Sequence, residues 1–452
     1  MTDVLNAKNN SLPAGLKNAF AFVAFNALSF QMVLGSPMIL FAKSLNASAT
    51  VLGIISGMMP LLVIFQIPAA SHVPRYGYKR FVYGGWGIRV LFIFVMALVP
   101  VSGRFLEPSS QLALMLFLLF GFNLSRGISS CAWLPWITSL VPASVRGKYL
   151  AQEAAFINVA SFGAFLLAAW CLGSQPRASQ FALIFAFSAL MGTVSLFFLK
   201  RIPEGEAPEE ARVSTHPVPW IEIARYRPFR KLLWMNVGWS MAYGGLGAFT
   251  VAFLKTEAGM PEGKILVMNS VAYLGGLSSL WFLGSRMDRL GSKPILTFSL
   301  ASWCFIILGW IFLAGGVWPS TLRTVAILQF AMGLGLALIN MANTRLAMAT
   351  VPVMGRNHFF ALFSVVANLT LGLAPIIWGV LIDAMRSVEF RWHGFEWNRF
   401  TMFFILVAIV MLVTIVLCRR LEEPDAARME DLFREILIES PQRVWLRIWP
   451  RE

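Results

Sequence analysis

The sequence predicts an all-α integral membrane protein of twelve transmembrane helices in two six-helix bundles, and three observations carry that prediction. Of 452 residues, 58% are apolar and only 13% charged, whereas soluble domains average about 25% charged residues. The apolar residues gather into twelve runs of the length a bilayer demands, roughly 20 residues per helix. Two pairs of polar loops also recur between the halves of the chain, at offsets of 210 and 214 residues.

The runs lie at 18–42, 50–71, 81–101, 111–140, 149–172 and 178–199, and then at 231–254, 264–284, 294–315, 321–350, 358–383 and 397–418. The first is too long for a signal-peptide core and no small-residue cleavage pattern follows it, so it reads as a retained anchor. These runs assign residues 1–200 to an N-terminal bundle, 201–230 to a linker, 231–418 to a C-terminal bundle and 419–452 to a tail. The linker opens with the acidic run at 204–210 and turns basic around Arg225, Arg227 and Arg230, as suits a polar tether. In the tail, Met429, Leu432, Phe433, Ile436 and Leu437 recur at helical spacing between charged residues, which predicts an amphipathic helix.

The charge excess, 37 Lys and Arg against 22 Asp and Glu, sits in short loops rather than in one basic patch. The N-terminal segment, every second loop and the tail hold 25 of the basic residues, the opposite loops nine, and the spans three. This asymmetry predicts cytoplasmic termini, with the plasma membrane of a bacterium as the expected location, and argues against nucleic acid as the partner. Cys131, Cys171, Cys304 and Cys418 all lie inside apolar runs, with neither a disulfide framework nor metal-ligand spacing. No phosphate loop, nucleophile elbow or paired buried carboxylate suggests an enzyme, and no cofactor or metal is expected.

The repeat is read from VPASVRGKYLA at 141–151 against VPVMGRNHFFA at 351–361, where Val, Pro, Arg and Ala coincide. Residues 70–79 and 284–293 form the second pair, each between the second and third runs of its half. In the latter, Gly284, Asp288, Arg289, Gly291 and Lys293 resemble the loop signature of the major facilitator superfamily, with Ser292 departing from the basic pair. The resemblance implies two bundles that alternate access to a central cavity lined by the first, fourth, seventh and tenth helices. In the N-terminal loop Arg75, Gly77 and Lys79 remain, but Pro74 takes the acidic position, so Asp288 is expected to carry most of a conformational latch. Arg146, Glu153 and Arg356 beside the other repeated pair complete the expected gating set, Glu153 lying two helical turns beyond Arg146.

Charged residues inside a membrane are functional candidates by default. Arg126 lies about 15 residues from either end of its run, roughly 22 Å along a helix, and is too deep to snorkel. Asn123, Ser130 and Trp133 continue its face. An arginine at this depth also resembles one used by exporters of the family, although their accompanying Gln-Gly is Ser129-Ser130 here. Arg89 and Arg345 stand nearer the ends of their runs and are expected to snorkel in structural roles. Neutral donors and acceptors complete the expected binding set: Asn26, Ser29 and Gln31 in the first run; Asn236, Trp239, Ser240 and Tyr243 in the seventh; Asn340 and Asn343 in the tenth.

Every carboxylate falls in a loop, linker or tail, except Glu153 and Asp383 near the ends of their runs. A mid-membrane cation without a carboxylate predicts an organic anion as the small-molecule substrate, moved by uniport or exchange through a monomer. Two alternatives stay open. Trp133, Trp239 and Tyr243 suit a proton-coupled exporter of an amphipathic compound, although the fifth run lacks the Gly-Pro-rich pattern of the family's drug antiporters. A sensor that keeps the fold and transports nothing is the other.

Overall fold

The structure, a computed structural model, describes residues 16–141, 146–205, 223, 225–283, 292–351 and 356–421, of which 146–148, 151, 280–283 and 356–358 are described by their backbone alone. The tail helix expected after Leu421 lies outside the described residues. Eleven of the described helical segments are long and apolar enough to cross a membrane. The helix Glu262–Leu283 runs where the eighth span is expected, so all twelve runs are helical.

In chain order the first span is α1 (Leu16–Leu34) and α2 (Ser36–Ser44), and the second begins with α3 (Ala49–Leu62) and ends in α4 (Gln66–Ala70). A short α5 (Val73–Tyr76) precedes α6 (Tyr78–Leu98), the third span. The fourth is α7 (Pro108–Ser130) continued by α8 (Trp133–Leu140), and α9 (Arg146–Leu172) and α10 (Ala178–Lys200) follow. In the second half α11 (Arg227–Tyr243) and α12 (Leu246–Thr256) form the seventh span. Then come α13 (Glu262–Leu283), α14 (Ser292–Ala314), α15 (Leu322–Thr350), α16 (Arg356–Ala384) and α17 (Arg399–Arg419).

Local chemistry sets several of these ends. Ser48 accepts a hydrogen bond from the Val51 amide, Thr321 from Thr324, and Asn398 from both Phe400 and Thr401, each satisfying amides that a helix start leaves free. The interruptions in the first and seventh spans fall at Gly35 and Gly245, which are 210 residues apart, the same offset as the repeated VP loops. Gly245 has φ +87°, which an L side chain rarely adopts, and a Cβ there would stand 3.1 Å from the Pro375 Cα. At Gly35 a Cβ would meet the Gln31 carbonyl oxygen at 2.4 Å. Broken helices at matching places in the two repeats are a frequent construction around transporter binding sites.

By packing, the chain divides into two compact units. One takes residues 1–216, 244–273 and 368–389, the other 217–243, 274–367 and 390–452. In the first, α1 packs on α9 and α10, α6 on α7 and α10, and α12 on α2 and α3. In the second, α14 packs on α15 and α17, and α11 on α17 and α15. Between α16 and α17 a small antiparallel hairpin, β1 (Phe390–Trp392) and β2 (Phe395–Trp397), pairs Phe390 with Trp397 and turns at His393 and Gly394, both with positive φ.

Candidate functional site

Within the first unit the polar centre is built on Arg89 and Arg126. Arg89, on α6, is 1% exposed, so the snorkelling expected of it does not occur. Its Nη2 donates a short hydrogen bond to Asn26 Oδ1 on α1, an oxygen that also accepts from Trp86 Nε1 at 3.3 Å. The guanidinium lies 4.8 Å from the Trp86 ring centroid and 5.3 Å from that of Phe122. Such cation–π contacts are worth about 2 kcal/mol when desolvated. They offset part of the cost of burying the charge, but Nε has no hydrogen-bond partner among the described residues.

Arg126 follows Phe122 by one helical turn on α7, and the Arg89 and Arg126 charges repel one another. Among the described residues the Arg126 guanidinium has no hydrogen bond and no ion pair. Its expected companions diverge. Asn123 is buried and donates to the Leu119 carbonyl, and among the described residues its Oδ1 has no partner. Ser130 bonds back to the Gly127 carbonyl, and Trp133 packs into an aromatic group with Phe22, Trp86 and Trp136. Gln31 donates to Ser161 on α9, and Ser29 pairs with Ser188 on α10, so both tie helices together.

The second unit holds the other expected binding residues. Asn236 on α11 and Asn343 on α15 exchange hydrogen bonds in both directions, at 3.1 and 2.6 Å. Trp239 stacks on Tyr243 at 5.2 Å, and Trp303 from α14 meets both edge-on. Ser240 is buried beside this group on α11, whereas Asn340 is exposed on α15, one turn before Thr344 bonds to its carbonyl. Trp239 and Tyr243 were among the expected binding residues, but nothing local in the sequence points to Trp303.

Of the expected gating positions, Gly284, Asp288, Arg289 and Gly291 lie outside the described residues, and Arg146 and Arg356, at the first positions of α9 and α16, are described by backbone alone. Lys293 opens the first turn of α14, where its carbonyl accepts from Thr297. Gly77, with φ +78°, turns the chain from α5 into α6; Arg75 is exposed over the Tyr76 ring and Lys79 is half-buried. Glu153 is half-buried on α9, one turn from Tyr149, whose buried hydroxyl has no partner among the described residues.

A second polar cluster of the first unit was not anticipated. Asp383, at the end of α16, accepts from the Ala49 and Thr50 amides at 3.0 and 2.8 Å and from the Thr50 hydroxyl at 2.6 Å, capping α3 from another helix. Below it the two helices touch through glycines. A Cβ on Gly53 would lie 2.2 Å from the Pro375 carbonyl oxygen, and one on Gly57 2.2 Å from that of Gly372. The Gly263 amide donates to the Gly173 carbonyl at 2.8 Å, and Asn269 donates to Ser36 at 2.6 Å, joining α13 to the end of α9 and to α2. Lys255 and Glu262 close the α12–α13 turn as an ion pair at 2.5 Å.

A repeated all-helical membrane architecture with broken first and seventh spans defines the class as a multi-pass membrane protein of the transporter type. The Major Facilitator Superfamily profile matches residues 19–319 and 267–449, and the chain belongs to that family. Among solved structures, the nucleoside transporter NupG is similar at 11% identity and TM-score 0.65, covering 89% of this chain and 97% of its own. The inward-open xylose transporter XylE from E. coli matches at 12% identity and TM-score 0.68, covering 92% and 98%. A POT family transporter in complex with 5-aminolevulinic acid matches at 12% identity and TM-score 0.65, covering 91% and 97%. At these identities the likeness is one of fold. No curated protein matches the chain.

Proposed function

We propose that the protein is a secondary transporter that moves a small organic anion by alternating access, as a uniporter or exchanger. The observation that carries this reading is the Arg126 guanidinium, half-buried near the middle of the span Pro108–Leu140, one turn before α7 ends, with no hydrogen bond or ion pair among the described residues. A cation in that position is costly without a counter-charge, and a transported anion supplies one. The family and its neighbours, a nucleoside transporter, a xylose transporter and a POT family transporter in complex with 5-aminolevulinic acid, support transport of a small solute. In this reading the bundles at 1–200 and 231–418 move about the 201–230 linker, both termini are cytoplasmic in a bacterial inner membrane, and the working unit is a monomer. Asn26, Asn236, Ser240, Asn340 and Asn343 orient the solute, and Gly284 to Lys293 latch the cytoplasmic side.

Proton coupling has one observation in its favour, the half-buried Glu153 one turn from the Tyr149 hydroxyl, which has no partner among the described residues. It ranks second because Glu153 stands at the helix end rather than beside Arg126 in the sequence of spans.

The test is thermal stabilisation of purified wild type and Arg126→Gln by a panel of anionic, zwitterionic, cationic and neutral solutes. A ligand at 100 times its dissociation constant stabilises by about 2.7 kcal/mol. Anions are expected to stabilise wild type alone. Equal stabilisation of both proteins by neutral or cationic solutes overturns the reading.

A further inference from the structure

We propose that Arg89 is the second cation of the same site, and that the site therefore selects doubly charged oxyanions, of the phosphoryl or phosphonate kind, over singly charged ones. This rests on the reading of Arg126 as an anion-binding group, and it adds a substrate class to it.

Two positive charges, Arg89 buried and Arg126 half-buried, stand on adjacent, packed helices. Arg89 on α6 lies against the ring of Phe122 on α7, and Arg126 is four residues further along that helix. Side chains four apart on a helix are neighbours, about 5–6 Å between Cβ atoms. The α6 and α7 backbones approach closely here, since a Cβ on Gly85 would meet the Ser129 side chain at 2.2 Å. Neither guanidinium has a carboxylate partner among the described residues. Among the described residues the charge-assisted bond of Arg89 goes to a neutral amide, that of Asn26, and its buried Nε has no partner.

A structural arginine in a core is ordinarily paired with a carboxylate, because an isolated buried charge is strongly unfavourable. Here Trp86, Phe122 and Asn26 hold the cation in place and keep water from it without neutralising it. A singly charged solute leaves the pair with one unbalanced charge. A doubly charged one cancels both, and its second charge is attracted by each guanidinium in a setting of low effective dielectric. Arg126 supplies the open donors, and Arg89, fixed behind the aromatic rings, supplies field. It is a positioning and specificity residue rather than the first group to touch the solute.

An isosteric pair of probes reads this directly. Phenylphosphonate and benzenesulfonate share a ring and a tetrahedral head, but at alkaline pH the first carries two charges and the second one. Equilibrium binding to the full-length protein in detergent is measured for wild type, Arg89→Gln, Arg89→Lys and Arg126→Gln. Wild type is expected to prefer the phosphonate by on the order of tenfold or more. Arg89→Gln brings that ratio towards one, Arg89→Lys retains it, and Arg126→Gln loses both ligands. Equal wild-type affinity for the two probes overturns the dianion proposal while leaving the anion reading intact. Binding of neither probe by wild type overturns both. If Arg89→Gln fails to fold, the wild-type ratio decides alone, and a preserved ratio in a folded Arg89→Gln contradicts the assignment.

Discussion

Single side chains in this protein work against the solvent that surrounds them, and their partners come from distant parts of the chain. Arg89 shows this most clearly. Its position two turns from a basic loop suggests a side chain reaching for the interface, yet Asn26, 63 residues earlier, and Phe122, 33 residues later, turn it inwards. Asp383 is a parallel case, since its three acceptor contacts go to α3, more than 330 residues away in sequence. Replacing Asp383 by Ala leaves two helix-start amides and a hydroxyl unsatisfied. A loss of about 1–2 kcal/mol is expected, the usual range for an N-cap. Combined with Thr50→Val in a double-mutant cycle, it should show a coupling of at least about 0.5 kcal/mol in thermal unfolding. Independent, additive effects refute the cap.

At the scale of helices, packing is set by small residues where backbones meet and by breaks where they must bend. Gly53 and Gly57 let α3 approach the Gly372–Pro375 segment of α16, whereas Gly247 in α12 has nothing within 4 Å of where its Cβ would stand. Gly53→Val is therefore expected to cost about 1–3 kcal/mol through overpacking, and Gly247→Ala to be neutral or to stabilise by up to about 1 kcal/mol. Melting temperatures of the two variants check the contrast, and a neutral Gly53→Val contradicts the contact. The spans themselves were legible because apolar length is a one-dimensional property, and the repeat because its loops kept Val, Pro, Arg and Ala in register. The breaks at Gly35 and Gly245 were not read, since an isolated glycine in an apolar run marks a bend only when its conformation or neighbours demand it. Trp303 escaped for a related reason: its contact with Trp239 and Tyr243 joins residues 60 or more apart. Asn236 and Asn343 stand out in the sequence as polar residues in apolar runs, but their mutual bonding belongs to tertiary structure.

For the whole molecule, composition and charge placement bound the class, a multi-pass member of the major facilitator superfamily. In the proposed reading the candidate site adds the electrostatic character of what the protein carries. If the protein is a carrier rather than a sensor, deleting residues 424–452 leaves solute binding largely intact, as a binding isotherm on the truncated protein would show. Loss of binding on truncation would favour the sensor.

Transport is measured most directly with purified protein in liposomes, following uptake of the anion that stabilises it best, with and without an imposed pH gradient, for wild type and Arg126→Gln. Wild-type uptake is expected to be accelerated by the same anion on the other side, indifferent to the pH gradient, and lost in Arg126→Gln. Uptake that requires the pH gradient, or that survives the substitution, contradicts the proposed reading.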